Sequence, residues 1–299
     1  MFTDFSHHSY VPSIWKKSII LPLYKNQGPK DLISNYRPIA LNCTLAKVFE
    51  RVILYFLDSS LEGQLSSRQH GFKKSRSTLT NMLESYSEIY MAVNVGNSVD
   101  MITIDLSKAF DKVVHSLLLQ KLVDKRVSPT IINLLASYLS DRKQLVIVEG
   151  QCSGLVDVMS GVTQGSILSP LLFSVFIDDL LSLPFVNKVV VYADDIKLIG
   201  SPGQSLQQDL DLIVCWTKNN SMTINGQKSE CIHFGSGNPS ISYTIDQSPI
   251  PVVETRRDLG LIIDKRLNFY KHCQNVSSNP QINWSVFPLL SHSKRGAPN

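Results

Sequence analysis

Three aspartates carry the chemistry with the clearest physical rationale in this sequence. Asp105 closes the string MITID, and Asp194 and Asp195 lie side by side in VVVYADDIKLIG. One carboxylate at a strand end and two at a hairpin tip converge if their strands are neighbours in one sheet, and the resulting negative site calls for a divalent cation. Mg²⁺ suits it, because this ion prefers hard oxygen ligands and binds through a few carboxylates plus water and substrate phosphates. Two such ions about 3.5–4 Å apart would clamp the attacking and leaving oxygens of an in-line phosphoryl displacement. Surface turns also favour Asp, so the Tyr192–Asp195 string alone reads equally well as a plain hairpin turn. The surrounding segments have to decide.

Those segments alternate short strands with helices. Ser18–Tyr24 (SIILPLY) has the make-up of a strand and leads through the polar KNQGPKD loop to NYRPIAL. Apolar residues at helical spacing predict helices over Leu45–Leu57, Ser75–Val93, Val113–Val127, Ile131–Leu139, Leu171–Leu181 and Leu206–Asn219. Met101, Ile102 and Ile104 predict a strand that ends near Asp105. Gln144–Val148 and Leu155–Met159 predict a hairpin with a long loop. Two apolar runs flanking a four-residue turn predict a second hairpin with Asp194 and Asp195 at its tip. Met222–Ile224 and Glu230–Phe234 read as a strand pair, and RRDLGLIIDKRLNF as a third hairpin.

Composition narrows the class without naming a partner. The chain has 299 residues, 43% hydrophobic and 18% charged, in the range of an ordinary globular protein. Its 29 basic and 25 acidic residues leave a net charge of only +4, so nucleic-acid binding has to be argued from local patches. Five scattered cysteines without C-x-x-C spacing argue against a disulfide framework or a zinc knuckle and fit a reducing, intracellular compartment, nucleus or cytoplasm. The N-terminus lacks the apolar core of a secretory signal. The most apolar stretch, Ile167–Val186, is interrupted by Pro170, Asp178, Asp179 and Pro184, against a membrane span.

The order of motifs is more specific than any one of them. NYRPIAL, QHGFKKSRST, IDLSKAFD, SGVTQGSILSPLLF, YADD, an Asn-x-x-Lys element and DLGLIID follow one another from about Val11 to Cys273. In this order they resemble the reverse transcriptase of non-LTR (LINE-type) retrotransposons. The resemblance implies an α+β right-hand polymerase, with palm and fingers and an antiparallel palm sheet bearing the carboxylates. The activity it implies is RNA-directed DNA synthesis by two-metal nucleotidyl transfer. Template RNA, a DNA primer end and deoxynucleoside triphosphates are the implied partners, and two Mg²⁺ ions, with Mn²⁺ as a substitute, the implied cofactors.

Residue by residue, the resemblance makes Asp105 and Asp194 the main metal ligands and Asp195 an auxiliary one. Phe110 falls where the family places an aromatic steric gate against a ribose 2′-hydroxyl. Gln164 and Gly165 in VTQGS would lie near the nucleotide or template, Gly because it lets a substrate approach the backbone closely. Many relatives have Pro in place of Thr163. Lys228 matches the lysine proposed to protonate the leaving pyrophosphate. Arg37, Lys73 and Arg76 belong to basic segments that grip triphosphate or template phosphates, and Lys265 and Arg266 to a hairpin that holds the primer end. Asp111 is expected instead to cap the helix beginning near Val113, and Asp178 and Asp179 to be structural or solvent-facing.

The resemblance also implies a thumb after Cys273, where the sequence runs instead into SSNPQINWSVFPLLSHSKRGAPN. Residues 11–273 are therefore expected to form fingers and palm with the thumb largely missing, and residues 274–299 an unstructured or unrelated tail. Two rival readings stay open: an inactive relic that binds RNA through a polymerase fold, and an intron-encoded maturase, which should carry a maturase thumb domain.

Overall fold

A computed structural model describes residues 10–26 and 28–278. The chain opens with β1 (Lys17–Tyr24) and β2 (Tyr36–Leu41), an antiparallel pair in which Ile19 faces Leu41 and Tyr24 faces Tyr36. Helix α1 (Thr44–Ser60) buries Ala46, Phe49, Glu50, Ile53 and Leu57, the stripe expected of an amphipathic helix. Helix α2 (Thr78–Asn94) starts three residues later than the sequence suggests. Its start is set by a capping box, in which Ser77 and Thr80 satisfy each other's backbone N–H groups.

After β3 (Val99–Asp105), helix α3 occupies only His115–Asp124, shorter than the expected Val113–Val127. Pro129 opens α4 (Pro129–Leu139), whose cap is Ser128. The expected hairpin forms from β4 (Arg142–Val148), β5 (Gln151–Cys152) and β6 (Val156–Val158). Strand β4 also pairs in parallel with β1, joining the N-terminal strands into one sheet, a long-range pairing that no local pattern announces.

Helix α5 (Ser169–Ile177) is buried on nearly every side, as its largely apolar sequence requires, with Ser169 and Ser174 buried among the apolar residues. It is followed by β7 (Lys188–Tyr192), β8 (Asp195–Gly200), α6 (Gln204–Asn219) and β9 (Glu230–Phe234). Met222–Ile224 does not pair with β9. Ile224 forms a single bridge to Leu106, while β9 takes its partners from β3. Two small hairpins, β10 (Thr244–Ile245) with β11 (Ser248–Pro249) and β12 (Thr255–Asp258) with β13 (Leu261–Asp264), precede α7 (Tyr270–Ser277). Helix thus continues past Cys273, and residues 279–299 of the expected tail lie outside the described residues.

The site rests on the antiparallel sheet β7-β8-β3-β9. Its strands are covered on both faces, which is why β3 and β8 read as nearly continuous apolar runs. On one face Ile102, Ile104, Ile196, Leu198 and Cys231 join the main core with Leu118, Phe173 and Leu210 from the helices. On the other face Met101, Ile199, Ile232 and Phe234 pack against Tyr86 and Ile89 of α2 and Ile263 of the β12–β13 hairpin. Each fully buried Leu, Ile or Phe contributes roughly 1.5–3 kcal/mol, so these two layers fix the register that sets the carboxylates in place. Among the described residues no helix is long and apolar enough to cross a membrane.

Candidate active site

Strand register brings the three aspartates together. Asp105, the last residue of β3, lies directly opposite Asp195, the first residue of β8, and Tyr192 pairs with Asp195 on the other side. The hairpin therefore turns on two residues, Ala193 and Asp194, rather than four, and Asp195 belongs to the sheet. Directly opposed residues of an antiparallel pair share a face, so the carboxylates of Asp105 and Asp195 emerge side by side.

Their electrostatics are those of crowded anions. Burial pushes the Asp194 carboxyl above its ordinary range, and Asp105 adds to the shift. Asp195 is pushed up to about 6, first by burial and then by the charges of Asp194 and Asp258, with Arg256 opposing. The donor set is entirely hard carboxylate oxygen, which fits Mg²⁺ or Mn²⁺. It is an open set: among the described residues, the trio of ligand atoms within 4.8 Å of one another is a different one, Asp100, Cys231 and His233.

That second trio sits at the far end of β3 and serves the fold. Asp100 accepts hydrogen bonds from His233 Nδ1 (2.7 Å), Asn238 Nδ2 (2.7 Å) and Tyr243 Oη (2.6 Å). Both its oxygens are engaged, and burial pushes the Cys231 thiol up, away from the thiolate a metal would need.

Around Asp105 the chain gathers cations. Asn225 donates its N–H to the Asp105 carbonyl (2.8 Å) and Ser229 Oγ accepts from the Asp105 N–H (3.3 Å), so the TINGQKS segment, with exposed Lys228, is clasped to the end of β3. Lys25, at the end of β1, feels the charges of Lys228, Arg37 and Asp105. Lys25 escaped the sequence reading because a lone Lys after a strand looks merely solvated; its signal was its place before the polar loop that leads to Arg37. Lys73 is not available in the same way, since its ammonium donates to the carbonyls of Leu65 and Ser66, both at 3.0 Å. Arg76 faces Glu84 at 3.5 Å.

Phe110 stacks on Phe173 with ring centroids 4.5 Å apart and meets the edge of Phe72 at 6.0 Å. It is a braced wall, partly buried, close behind the carboxylates in sequence. Asp111 caps no helix: the N-cap position of α3 is Val114, and Asp111 Oδ1 accepts from Gln164 Nε2 (3.2 Å). Gly165, with φ +107°, is approached by the protein's own backbone; a Cβ there would lie 2.6 Å from the Ala40 carbonyl oxygen. The neighbouring Ala40 N–H bonds the Gln164 carbonyl at 2.8 Å. The same loop is anchored by buried Glu50, which accepts from Tyr138 Oη, Ser166 Oγ and the Ile167 N–H. Asp178 and Asp179 are structural, paired with Lys125 (2.5 Å) and Lys121 (2.8 Å).

A buried network missed by sequence reading lies beside Asp195. Lys197, two residues along β8 and fully buried, pairs with Asp258 of β12 and donates to Asn81 Oδ1 (2.7 Å), while Tyr86 Oη bonds Asp258 at 2.6 Å. Burial pushes the Lys197 ammonium down and Asp258 opposes it. The pair ties the DLGLIID hairpin to the β7-β8-β3-β9 sheet next to the carboxylates. Its signal in the sequence is the one charged residue within the apolar run IKLIG.

A carboxylate-bearing antiparallel sheet of this kind, flanked by helices and joined to a second sheet of N-terminal strands, is the palm of a right-hand polymerase. The chain belongs to the reverse transcriptase (RNA-dependent DNA polymerase) family, whose model matches residues 23–268. It is 31% identical over 281 residues to the probable RNA-directed DNA polymerase from transposon BS of Drosophila melanogaster, covering 88% of this chain and 31% of that protein. It is 28% identical to the RNA-directed DNA polymerase from the mobile element jockey of the same organism, covering 93% of this chain and 33% of that one. The chain thus spans about a third of the length of these relatives, which are non-LTR retrotransposon polymerases. Among solved structures, telomerase from Candida tropicalis in complex with a fragment of telomeric RNA shares the fold at a TM-score of 0.62 and 14% identity, covering 94% of this chain and 49% of that one.

Proposed function

We propose that residues 11–273 are the fingers and palm of a retrotransposon reverse transcriptase that copies template RNA into DNA from a primer end, using deoxynucleoside triphosphates. The observation that carries this reading is the register of Asp105 against Asp195 with Asp194 at the turn between β7 and β8. Asp105 and Asp194 hold the metals. Asp195, closer to the charges of Asp258 and Arg256, is auxiliary. Bound Mg²⁺ supplies Lewis-acid activation of the primer hydroxyl and neutralises charge on the triphosphate.

The remaining roles belong to the chain itself. Lys25, which feels the charges of Lys228, Arg37 and Asp105, forms with these cations a positive patch that draws the triphosphate toward the carboxylates. Lys228 is exposed and can move its ammonium to the leaving pyrophosphate. Phe110, held between Phe173 and Phe72, cannot retreat and so discriminates against a 2′-hydroxyl. Gln164, tethered through Asp111, presents the VTQGS loop to the nucleotide and template. Arg76 contributes to template phosphate binding, whereas Lys73 stabilises the segment that carries Arg76. A role on RNA and DNA, together with the free cysteines among the described residues, supports an intracellular, reducing compartment.

The test is primer extension on an RNA template with Mg²⁺, for the chain and its Asp194→Ala variant, with RNA binding measured for both. The chain extends the primer and the variant does not, while both bind RNA. If neither extends and both still bind, the chain is an RNA-binding relic and the reading fails.

A further inference from the structure

The QHGF segment (Gln69–Phe72) lies beside basic residues that suggest phosphate binding, yet the side chain of Gln69 faces the aspartate turn, while His70 turns to Thr80 and Glu84. Main-chain bonds dock it on the edge of β7: the His70 N–H donates to the Val191 carbonyl (2.8 Å), and the Val191 N–H to the Arg68 carbonyl (3.0 Å). The side chain of Gln69, 3% exposed, continues this pairing. Its Oε1 accepts from the N–H groups of Ala193 (2.9 Å) and Gly71 (2.7 Å), and its Nε2 donates to the Ala193 carbonyl (3.3 Å). Two donors on one side and one acceptor on the other fix the amide's orientation, because the flipped amide would set its NH₂ against two N–H groups.

Ala193 needs such a grip. It has φ +56°, and Asp194 is not among the residues with positive φ. A two-residue hairpin turn whose first central residue alone has positive φ has the sign pattern of type II′, which favours Gly at that position. Here Ala stands in the glycine position. The true glycine of the assembly is Gly71, where a Cβ would lie 2.4 Å from the Ala193 nitrogen.

We infer that Gln69 is a positioning residue for the aspartate turn: its amide holds Ala193 in the left-handed conformation that aims Asp194 at the metal site. The inference rests on the polymerase reading for its consequence, although the clamp itself is a property of the fold. Gln69 is buried, with its amide bonded to backbone groups of Ala193 and Gly71. It acts through one backbone unit, the residue before Asp194, and the turn keeps its shape only while both polar groups of that unit are gripped.

The test uses the full chain with Gln69→Met, which keeps length and apolar volume but removes both bonds to Ala193, alone and combined with Ala193→Gly. Amide exchange at Ala193 should speed by about tenfold or more in Q69M while Val190, within the β7–β8 ladder, stays protected. In primer extension kcat should fall by about ten- to a hundredfold, with the KM for deoxynucleotide changed less than about twofold and a higher Mg²⁺ requirement, since misplacement by an ångström has effects of that size. Adding A193G removes the cost of the left-handed turn and should return kcat to within about fivefold of the parent. A structural defect elsewhere would not be repaired this way. Unchanged exchange at Ala193 in Q69M overturns the inference, as does a loss that A193G leaves untouched. If Q69M alone does not fold, recovery of folding by A193G supports the same account, and a double variant that stays unfolded contradicts it. Should the parent chain itself fail to extend a primer, the polymerase reading falls, and the exchange measurement still decides whether Gln69 clamps the turn.

Discussion

Asp100 and Asp105 belong to one strand, and their surroundings are opposite. Asp100 lies on the main-core face of the sheet, fully buried, with donors from His233, Asn238 and Tyr243 on its two oxygens. Asp105, at the other end of β3, is half-buried and lies opposite Asp195, with Asp194 close enough for the two charges to act on each other. A carboxylate that holds a fold together is met by donors. One kept for cations is met by other carboxylates, and the metal-free fold bears burial and repulsion together: burial first, then the charges of Asp194 and Asp258, push the Asp195 carboxyl up to about 6. Perturbed groups gathered at one edge of a sheet are therefore a better guide to chemistry here than the tighter Asp100, Cys231 and His233 cluster.

Three substitutions test the contrast. Asp100→Ala strands the buried partners of the carboxylate and should lower unfolding free energy by about 3–5 kcal/mol, read by urea denaturation, with primer extension per folded molecule little changed. A loss below about 1 kcal/mol would show that Asp100 does not serve stability as argued. Phe110→Val opens the wall behind the catalytic strand and should reduce discrimination against ribonucleotides by about tenfold, equivalent to about 1.4 kcal/mol in the transition state. Unchanged sugar selectivity would remove the gate from the site. Asp195→Asn carries the smallest effect and the most specific sign. Because the folded chain holds the Asp195 proton more tightly than the unfolded chain, its contribution to stability is full at low pH and is lost as pH rises through about 6. Without divalent metal, the variant should therefore match the parent in acid and melt about 2–4 °C higher above that range. A variant that melts lower at high pH would contradict the repulsion.

Much of this was legible in the sequence because the elements that carry the site are locally determined. The β-prone run before Asp105, the apolar strands around YADD and the helical stripe of α1 each state their period within a few residues. What stayed hidden depends on distant segments. The parallel pairing of β1 with β4 joins residues more than a hundred positions apart, and β9 chose β3 over the nearby Met222–Ile224 because the sheet edge offered more partners. Asp111 looked like a cap since it precedes a helix, yet it lies within a 3-10 turn that carries its carboxylate to Gln164. Gly165 was read as making room for substrate, and the close approach the fold shows there is that of the Ala40 carbonyl, which a local pattern could not announce. Lys197 and Asp258, 61 positions apart, are intelligible only once the hairpin is folded over the palm.

The most direct test is Mn²⁺ binding to the full chain, followed by electron paramagnetic resonance at a pH above the Asp195 range. Binding should weaken by more than about tenfold in Asp105→Asn and in Asp194→Asn and should be unaffected by Cys231→Ser. Binding that survives both aspartate substitutions, or that disappears with Cys231→Ser, would place the metal at the wrong end of β3 and contradict the account.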